Sequence, residues 1–397
     1  MKLTVVSNLY PPFVRGGAEY LASNLVRELV KQGHEVSVVT SAPRVAVGWR
    51  KVDCRLEDGV RVYRLYPWNV YYYLAGPDKP PYGRFIWQVI NLFNWPVAWR
   101  VKKLLRIIEP QAVISFNLMG LSFWLPRAID SLRIKHLHTL HDVQLLHPSG
   151  LFFWGQARSG RGEIIYQFFT RWLFSYVKYI VSPSRWLLNE HQQRKFFKQS
   201  QVAVIPNPAP NMFSFDKLVK SDNTINLCYV GQVREHKGIF WLVETLKNNP
   251  RSDWMLHLVV VGDSNRLEFL RRLIDGDDRL IIHENYPQVE IDKIIARSHL
   301  TIVPSLCLEN APTIITMSKA QGTPILAVRS GGIPEMIDDG VTGWLFTPGD
   351  KNGFNQQLER LLNQPDLLIK AGHAALRLNN QPKLSAYVSQ LLQLLDS

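Results

Sequence analysis

Short apolar runs alternate with longer amphipathic segments along most of the chain. The first cycle is a strand over 3–7, a glycine-bearing loop, a helix over about 17–31 and a second strand over 36–40. This is the order of a βαβ unit, whose two strands lie parallel in one sheet. The pattern therefore predicts an α/β protein built on parallel sheets.

The same alternation continues in both halves of the chain. Further strand candidates cover 112–116, 134–140, 179–181 and 202–205, and then 225–230, 256–261, 280–283, 300–303 and 325–327. Between the two sets lies the proline-rich segment 206–210, continued by polar residues 221–224, which has the composition of a linker. A chain of 397 residues is also too long for one ordinary core. We expect two doubly wound α/β domains.

Composition bounds the cellular setting. The cysteines Cys54, Cys228 and Cys307 are far apart and show no metal-type spacing, which is typical of a reducing compartment. No apolar run approaches the ~18 residues of a spanning helix, and the first residues read as a buried strand rather than a leader. We expect a cytoplasmic protein, with a peripheral position at the inner face of the membrane as an open alternative.

The positive charge is concentrated in one half of the chain. Residues 1–210 hold 27 Lys+Arg against 12 Asp+Glu, whereas residues 211–397 hold 19 against 21. The first half also concentrates aromatic residues, twelve within 63–99 and ten within 152–179. Basic and aromatic side chains together suit a membrane surface, a lipid-linked phosphate or single-stranded nucleic acid, and core packing is the alternative for each aromatic.

Two segments of the first half carry candidate chemistry. Gly16 and Gly17 lie between the first strand and first helix, where amides can approach an anion; a plain strand-to-helix turn is the alternative. His136, His138 and His141 surround the end of a strand. Alternation places the first two on one face and sends His141 into the following loop, and no nearby ligands complete a metal site.

Two segments of the second half also carry candidate chemistry. Gln232, Arg234 and Lys237 follow the strand 225–230. Lys237 lies in a glycine-flanked turn suited to a diphosphate counter-charge, and a solvated lysine at a helix start is the alternative. Glu309 follows the strand 300–303 and precedes a predicted helix over 313–321, with Gly322 just past its end. Ligands of open α/β sheets bind at such strand ends. The Asp-x-Asp within 275–278 reads instead as a solvated turn, so no metal is predicted.

Taken in order, these motifs resemble the GT-B glycosyltransferases, specifically the retaining family 4, also called group 1. The segments that carry the resemblance are 11–19, 138–142, 230–238, 308–324 and 331–335. The resemblance implies two Rossmann-like domains facing across a cleft. Residues 1–207 would bind the acceptor and 218–376 the nucleotide-sugar, while a helix over about 377–397 would pack back on the first domain.

The resemblance also implies roles for individual residues. Glu309 would contact hydroxyls of the donor sugar, and Lys237 would stabilise the leaving diphosphate with help from Arg234. His141 would point at the reacting sugar. The other donor-binding positions that it implies are Gly16, Gly17, Gln232, Asn310, Ala311, Pro312 and Met317.

Two of these positions depart from the family pattern. Met317 stands where a second glutamate usually meets the ribose, and a thioether is only a weak acceptor, so packing is its alternative role. Gln232 stands where many members have arginine, which leaves more of the charge to Lys237. From the sequence we expect Met317→Glu to be tolerated or to tighten donor binding.

The function that follows is a retaining, metal-independent transferase of the hexosyl type, with a nucleotide-sugar as substrate and no cofactor. Its acceptor would be a sugar or lipid-linked hydroxyl in polysaccharide or lipopolysaccharide biosynthesis. The alternative is a degenerate family member that binds a sugar or partner without efficient turnover. No motif supports nucleic acid as the partner.

Overall fold

The computed structural model describes residues 1–14, 16–49, 51–155, 160–209, 224–379 and 381–397. The chain divides into two compact units. The first comprises Met1–Leu151, Ala157–Pro208 and Pro382–Ser397, and the second comprises Phe152–Gln156 and Ala209–Gln381. Arg15 of the first glycine loop, the basic residue Arg158 and the linker residues 210 and 221–223 lie outside the described residues.

The first unit is built on an eight-stranded sheet. Its strands are β1 (Lys2–Ser7), β2 (Glu35–Ser41), β3 (Val52–Glu57), β4 (Val60–Leu65), β5 (Ala112–Ser115), β6 (Lys135–Thr139), β7 (Tyr179–Ser182) and β8 (Gln201–Val204). The order across the sheet is β3-β4-β2-β1-β5-β6-β7-β8, and every pair except β3–β4 is parallel. The predicted parallel sheet is confirmed.

In the described part of the chain, the first unit has seven α-helices before residue 209. They are α1 (Gly17–Lys31), α2 (Arg44–Val47), α3 (Pro81–Leu92), α4 (Trp95–Ile108), α5 (Leu125–Asp130), α6 (Arg161–Phe174) and α7 (Arg185–Gln193), with a 3₁₀ helix over Tyr73–Asp78. Helix α1 connects β1 to β2, and these two strands pair in parallel, as the predicted βαβ unit requires.

The second unit repeats the architecture on six parallel strands. These are β9 (Ile225–Gln232), β10 (Trp254–Val261), β11 (Leu280–Glu284), β12 (Leu300–Val303), β13 (Ile325–Val328) and β14 (Gly343–Phe346). Its helices are α8 (Ile239–Lys247), α9 (Ser264–Ile274), α10 (Gln288–Arg297), α11 (Thr313–Ala320), α12 (Lys351–Asn363) and α13 (Pro365–Arg377), with 3₁₀ turns over Glu235–Lys237 and Ile333–Glu335. The order is β11-β10-β9-β12-β13-β14.

Each unit has its own core. In the second, buried side chains of the strands pack with those of α8, α9, α12 and α13. In the first, the last helix of the chain, α14 (Leu384–Asp396), adds Tyr387, Val388, Leu391 and Leu395 to the core formed by α1 and the central strands. The Lys135 ammonium donates to the Leu395 carbonyl and ties β6 to the end of α14. The C-terminal residues therefore complete the first unit.

Candidate active site

The carboxyl ends of β9 and β12 define one edge of the second sheet. The chain builds outward from β9 through β10 to β11, and then returns to build β12, β13 and β14 on the other side. The strand order therefore reverses between β9 and β12, the position at which open α/β sheets bind ligands. The loops after these two strands are joined by a hydrogen bond from the Leu306 amide to the His236 carbonyl, at 2.9 Å.

An ion pair between Lys237 and Glu309 lies at this edge, with Lys237 Nζ 2.6 Å from Glu309 Oε1. Ser305 donates its hydroxyl to the same oxygen at 2.9 Å, and the Cys307 thiol lies 3.6 Å from it. Both charged side chains are partly buried, at 30% and 14% exposure. Among the described residues, these three contacts all reach Oε1, and Oε2 accepts no hydrogen bond.

The electrostatics of this pair keep both groups charged. Burial opposes ionisation of Glu309, but the Lys237 charge and the hydrogen bonds from Lys237 and Ser305 outweigh it, so the pKa of the carboxyl is lowered. Burial likewise opposes the charge of Lys237, and Glu309 outweighs it, so the pKa of the ammonium is raised. The pair is therefore a carboxylate and an ammonium at neutral pH.

Two glycines let the backbone close around Glu309 and Lys237. Gly238 has φ +72°, and a Cβ there would lie 1.9 Å from the Pro304 carbonyl oxygen. Gly331 has φ +61°, and a Cβ there would lie 2.0 Å from the Glu309 carbonyl oxygen, which also accepts from the Gly332 amide at 2.8 Å. No other residue fits these approaches without moving the backbone.

The segment Phe152–Trp154, which groups with the second unit, supports the same loop. The Leu308 amide donates to the Phe152 carbonyl at 2.8 Å, and the Trp154 amide donates to the Leu306 carbonyl at 3.1 Å. Phe153 and Cys307 face each other as an antiparallel bridge. The backbone just before Glu309 is therefore held from two sides.

The remaining predicted donor residues lie around this pair. Asn310 is buried, and α11 begins at Thr313 after Pro312, where no described side chain caps its first turn. The first turn of an eight-residue helix thus presents backbone amides and the positive end of its dipole beside Ala311. Gln232 and Arg234 are partly exposed at the end of β9, and the Arg234 amide donates to the Gln232 carbonyl at 2.9 Å.

Met317 lies one turn further along α11 and is 7% exposed. Its side chain packs in a cluster with Cys228 and Ile295, flanked by Ile294 and Ile314. This environment changes the expectation for Met317→Glu, because a carboxylate would enter an apolar cluster instead of solvent.

We expect Met317→Glu to lower the melting temperature, at a cost of roughly 2–4 kcal/mol for a carboxylate buried without a partner. Met317→Leu keeps the volume and polarity and is expected to cost less than about 1.5 kcal/mol. Thermal unfolding of both variants without ligand at pH 7.5 provides the test. A Met317→Glu protein as stable as the leucine variant would show that the side chain at 317 reaches solvent or a polar partner.

In the first unit, Gly16 and Gly17 open α1 as the sequence predicts. The Gly16 amide donates to the Glu19 carboxylate at 2.7 Å, so the protein's own acidic side chain occupies one amide of this helix start. Glu19 is buried at 5% exposure. The turn therefore has a structural role.

His141 follows β6, and its ring stacks on Phe116 with centroids 5.2 Å apart. Its Nε2 lies 3.0 Å from the Thr139 hydroxyl, which itself donates to the Ser115 carbonyl at 3.2 Å. A hydroxyl has one proton to donate, so we assign the Nε2–H tautomer to His141. Burial lowers the pKa of His141 to about 4, so the ring is neutral at pH 7.

His136 and His138 lie on one face of β6, as the alternation predicts. Both are buried, and both reach the Ser115 hydroxyl, from Nε2 of His136 at 2.7 Å and from Nδ1 of His138 at 2.8 Å. The part of the chain that the structure describes contains no group of three or more His, Cys, Asp or Glu that could hold a metal. In the Asp-x-Asp segment, Asp277 pairs with Arg279 at 2.7 Å.

The structure thus brings Lys237 and Glu309 together with Gln232, Arg234 and the start of α11 in the second unit. Gly16, Gly17 and His141 lie in the first unit, at carboxyl ends of its strands. Ser305, Gly238 and Gly331 were given no role from the sequence. Gly238 flanks Lys237 in the segment 230–238 and Gly331 lies within 331–335, so both fall in motif segments, whereas Ser305 is an ordinary loop residue by pattern.

Comparison with known proteins agrees with this geometry. Residues 15–210 match Glycosyltransferase Family 4, and residues 212–377 match Glycosyl transferases group 1. An uncharacterized 42.6 kDa protein in the cps region of Klebsiella pneumoniae is 21% identical over 85% of this chain and 87% of its own. The lipopolysaccharide 1,2-N-acetylglucosaminetransferase of Salmonella typhimurium is 25% identical over 46% of this chain and 52% of its own.

Solved structures show the same fold. Sucrose-phosphate synthase from Thermosynechococcus elongatus has a TM-score of 0.75 at 18% identity, covering 99% of this chain and 98% of that one. Anabaena HepE in complex with UDP and glucose has a TM-score of 0.71 at 16% identity, covering all of both chains. No described helix is long and apolar enough to cross a membrane. The protein is a glycosyltransferase of group 1, family 4, with the GT-B fold.

Proposed function

We propose that the protein transfers a hexosyl group from a nucleotide-sugar to an acceptor hydroxyl with retention of configuration. The second unit, within 218–376, would bind the donor and the first, within 1–207, the acceptor. The observation that carries the proposal is the Lys237–Glu309 pair at the strand-order reversal, beside the start of α11. It offers a cation and backbone amides for a diphosphate and a carboxylate for sugar hydroxyls.

The residues would divide the work as follows. Lys237 and the first amides of α11 would stabilise the charge that develops on the leaving diphosphate. Glu309 Oε2 would accept hydrogen bonds from donor-sugar hydroxyls, since Oε1 already takes Lys237 and Ser305. The neutral ring of His141 would orient a reacting group and not exchange a proton near pH 7, because its pKa is about 4.

In the proposed reaction, the bond between the anomeric carbon and the diphosphate oxygen breaks. A bond from that carbon to the acceptor oxygen forms on the same face, and the acceptor's proton passes to an oxygen of the leaving diphosphate. This scheme uses charge and orientation from the protein and no metal or cofactor. Nuclear magnetic resonance of donor and product tests retention, because it shows whether the anomeric configuration is the same in both. Transfer activity measured in excess EDTA tests whether the reaction is independent of metals.

We propose a cytoplasmic protein acting in polysaccharide or lipopolysaccharide biosynthesis, peripheral at the inner face of the membrane. The name of the Salmonella relative supports a role in lipopolysaccharide biosynthesis. The excess of basic residues in 1–210 supports an anionic lipid-linked acceptor or membrane surface.

The deciding experiment is a donor screen with the purified full chain. Thermal shift against UDP, GDP, ADP and their hexose conjugates should reveal one nucleotide that raises the melting temperature, since a ligand stabilises the fold it binds. Hydrolysis or transfer assays with that nucleotide's sugars should then show turnover. Absence of turnover with every conjugate, despite clear nucleotide binding, would favour the degenerate binder that Met317 and Gln232 suggest.

A further inference from the structure

Helix α3 presents its apolar side to solvent. Its exposed apolar residues recur at helical spacing, which places them on one stripe: Tyr82, Phe85, Ile86, Val89 and Phe93 just past its end. The opposite side makes polar contacts with the fold: Asn91 accepts from the Gly120 amide at 2.7 Å, and Trp87 donates to the Tyr71 carbonyl at 3.0 Å. Trp87 and Leu92 are also buried, so the helix carries large apolar side chains both toward the fold and toward solvent.

Helix α6 also exposes an apolar stripe to solvent. Its exposed apolar stripe consists of Ile164, Ile165, Phe168 and Trp172. Its buried side carries polar groups that bond to the loop carbonyls of 144–146: Tyr166 at 2.6 Å, Gln167 at 2.9 Å and Thr170 at 2.7 Å. These hydrogen bonds and the buried Leu173 and Phe174 hold the helix on the fold, and the apolar stripe remains exposed.

The two stripes form one surface. Phe93, at the end of α3, packs edge-on against Phe169 of α6 with centroids 5.3 Å apart, and Phe169 contacts Phe168 at 5.5 Å. We call the exposed residues of both stripes the aromatic face. Phe85 and Phe168 are 70% and 57% exposed, far more than a side chain that serves a core. A contiguous exposed apolar surface of this kind marks an interaction site.

The helices that carry the aromatic face, together with α4, are rich in positive charge. Helices α3, α4 and α6 together contain seven Lys or Arg and a single acidic residue, Glu163, which pairs with His147. At the end of the α6 stripe, the Arg127 guanidinium lies 4.7 Å from the Trp172 ring and 5.7 Å from the Trp124 ring. Basic groups among tryptophan rings next to exposed phenylalanine suit the boundary between lipid head groups and acyl chains.

We infer that the aromatic face docks on an anionic lipid bilayer, with α3 and α6 lying in the interface and the surrounding Lys and Arg on the head groups. The inference deepens the proposed function, because it names the surface by which the first unit would reach a membrane-borne acceptor. Apolar burial would supply part of the affinity and attraction to anionic lipid the rest.

Co-sedimentation of the full chain with vesicles tests the inference. We expect binding to phosphatidylcholine vesicles that contain phosphatidylglycerol, and weaker binding as salt rises. The double variant Phe85→Ser, Phe168→Ser should bind at least about tenfold less. The matched control is Phe269→Ser in α9, since Phe269 is 54% exposed and makes a similar edge contact, 5.1 Å from Phe240. It should bind like the unchanged protein.

A second pair of variants separates charge from apolar contact. Arg84→Gln with Arg161→Gln should weaken binding to the anionic vesicles roughly 25-fold, at about 1 kcal/mol or roughly fivefold per basic residue near the surface. Lys351→Gln with Lys370→Gln, on helices of the second unit, changes the net charge equally and should not. If both charge variants weaken binding equally, attraction is unspecific and the inference is overturned.

The failure of this inference is distinguishable from failure of the proposed function. Donor binding by calorimetry without lipid involves residues of the second unit, so the face variants should retain it. Vesicle binding without donor binding would sink the proposed function and leave the docking surface. Sedimentation that shows a dimer lost in Phe85→Ser, Phe168→Ser, with no vesicle binding by the unchanged protein, would make the face a protein interface and overturn the inference.

Discussion

Glu309→Ala is expected to reduce transfer by about 10³-fold or more, an effect of about 4 kcal/mol on the transition state. The substitution removes the acceptor for donor-sugar hydroxyls and leaves the Lys237 ammonium, partly buried, without its partner at 2.6 Å. Hydrogen bonds that involve a charged group contribute more than neutral ones, so we expect their loss at the donor sugar to be costly. The measurement is kcat/KM with the donor that the thermal-shift screen identifies.

Three further variants give this prediction its resolution. Glu309→Gln keeps the shape of the side chain without its charge. Its kcat/KM is expected to lie between that of Glu309→Ala and that of the unchanged protein. Ser305→Ala removes one donor to Oε1 and should cost less than about tenfold. Glu359→Gln on α12 controls for general destabilisation, because Glu359 pairs with Arg251, which precedes β10 at the amino end of the sheet. Full activity in Glu309→Ala would show that this carboxylate does not hold the sugar.

Binding of the free nucleotide separates the roles of the pair. Glu309→Ala should bind the nucleoside diphosphate nearly as well as the unchanged protein but lose the added affinity of the sugar. Lys237→Met should lose affinity for the diphosphate itself, because the cation that faces it is gone. Equal losses in both variants for both ligands would mean that the substitutions disrupt the loops rather than individual contacts.

The position of this pair could be predicted from the sequence, because Lys237 and Glu309 each follow a buried strand and parallel strands share one carboxyl edge. Their direct contact across 72 positions of sequence separation could not. It depends on the close approach that Gly238 and Gly331 allow and on the Phe152–Trp154 segment, and neither leaves a periodic signal.

One strand, β3, and the helices α3 and α6 show which features the sequence pattern does not determine. β3 is mostly exposed at the sheet edge, so its residues Val52–Glu57 lack the apolar run that identifies a buried strand. α3 and α6 have helical periodicity, but periodicity fixes only the stripe and not which side faces the core. Tertiary contacts, such as the hydrogen bonds of Asn91 and Thr170 to distant loops, determine which side faces the fold.

Three buried histidines of the first unit have a consequence for stability. His136, His138 and His191 are buried at 2% exposure or less. Burial lowers the pKa of His136 to about 3 and that of His191 to about 4, and it holds the pKa of His138 well below the usual value. All three are neutral in the folded protein, and each would take up a proton near pH 6.5 once unfolded.

We therefore expect the first unit to lose stability steeply as the pH falls below about 6.5. Between that pH and the folded pKa values, the unfolded state binds protons that the folded state does not, so the free energy of unfolding decreases as the pH decreases. At pH 5.5 each histidine contributes a loss of about 1.4 kcal/mol, or about 4 kcal/mol for the three. Above about pH 7 they contribute no pH dependence.

Urea unfolding followed by tryptophan fluorescence at pH 7.5 and pH 5.5 measures this loss. His191→Gln keeps a donor for the Leu187 carbonyl, which His191 Nδ1 reaches at 2.8 Å, but cannot titrate. It should therefore reduce the difference between the two pH values by about 1.4 kcal/mol. His373→Gln, at an exposed position of α13, should leave it unchanged. If His191→Gln shows the same pH dependence as the unchanged protein, His191 is already protonated in the folded state or accepts a proton there without unfolding.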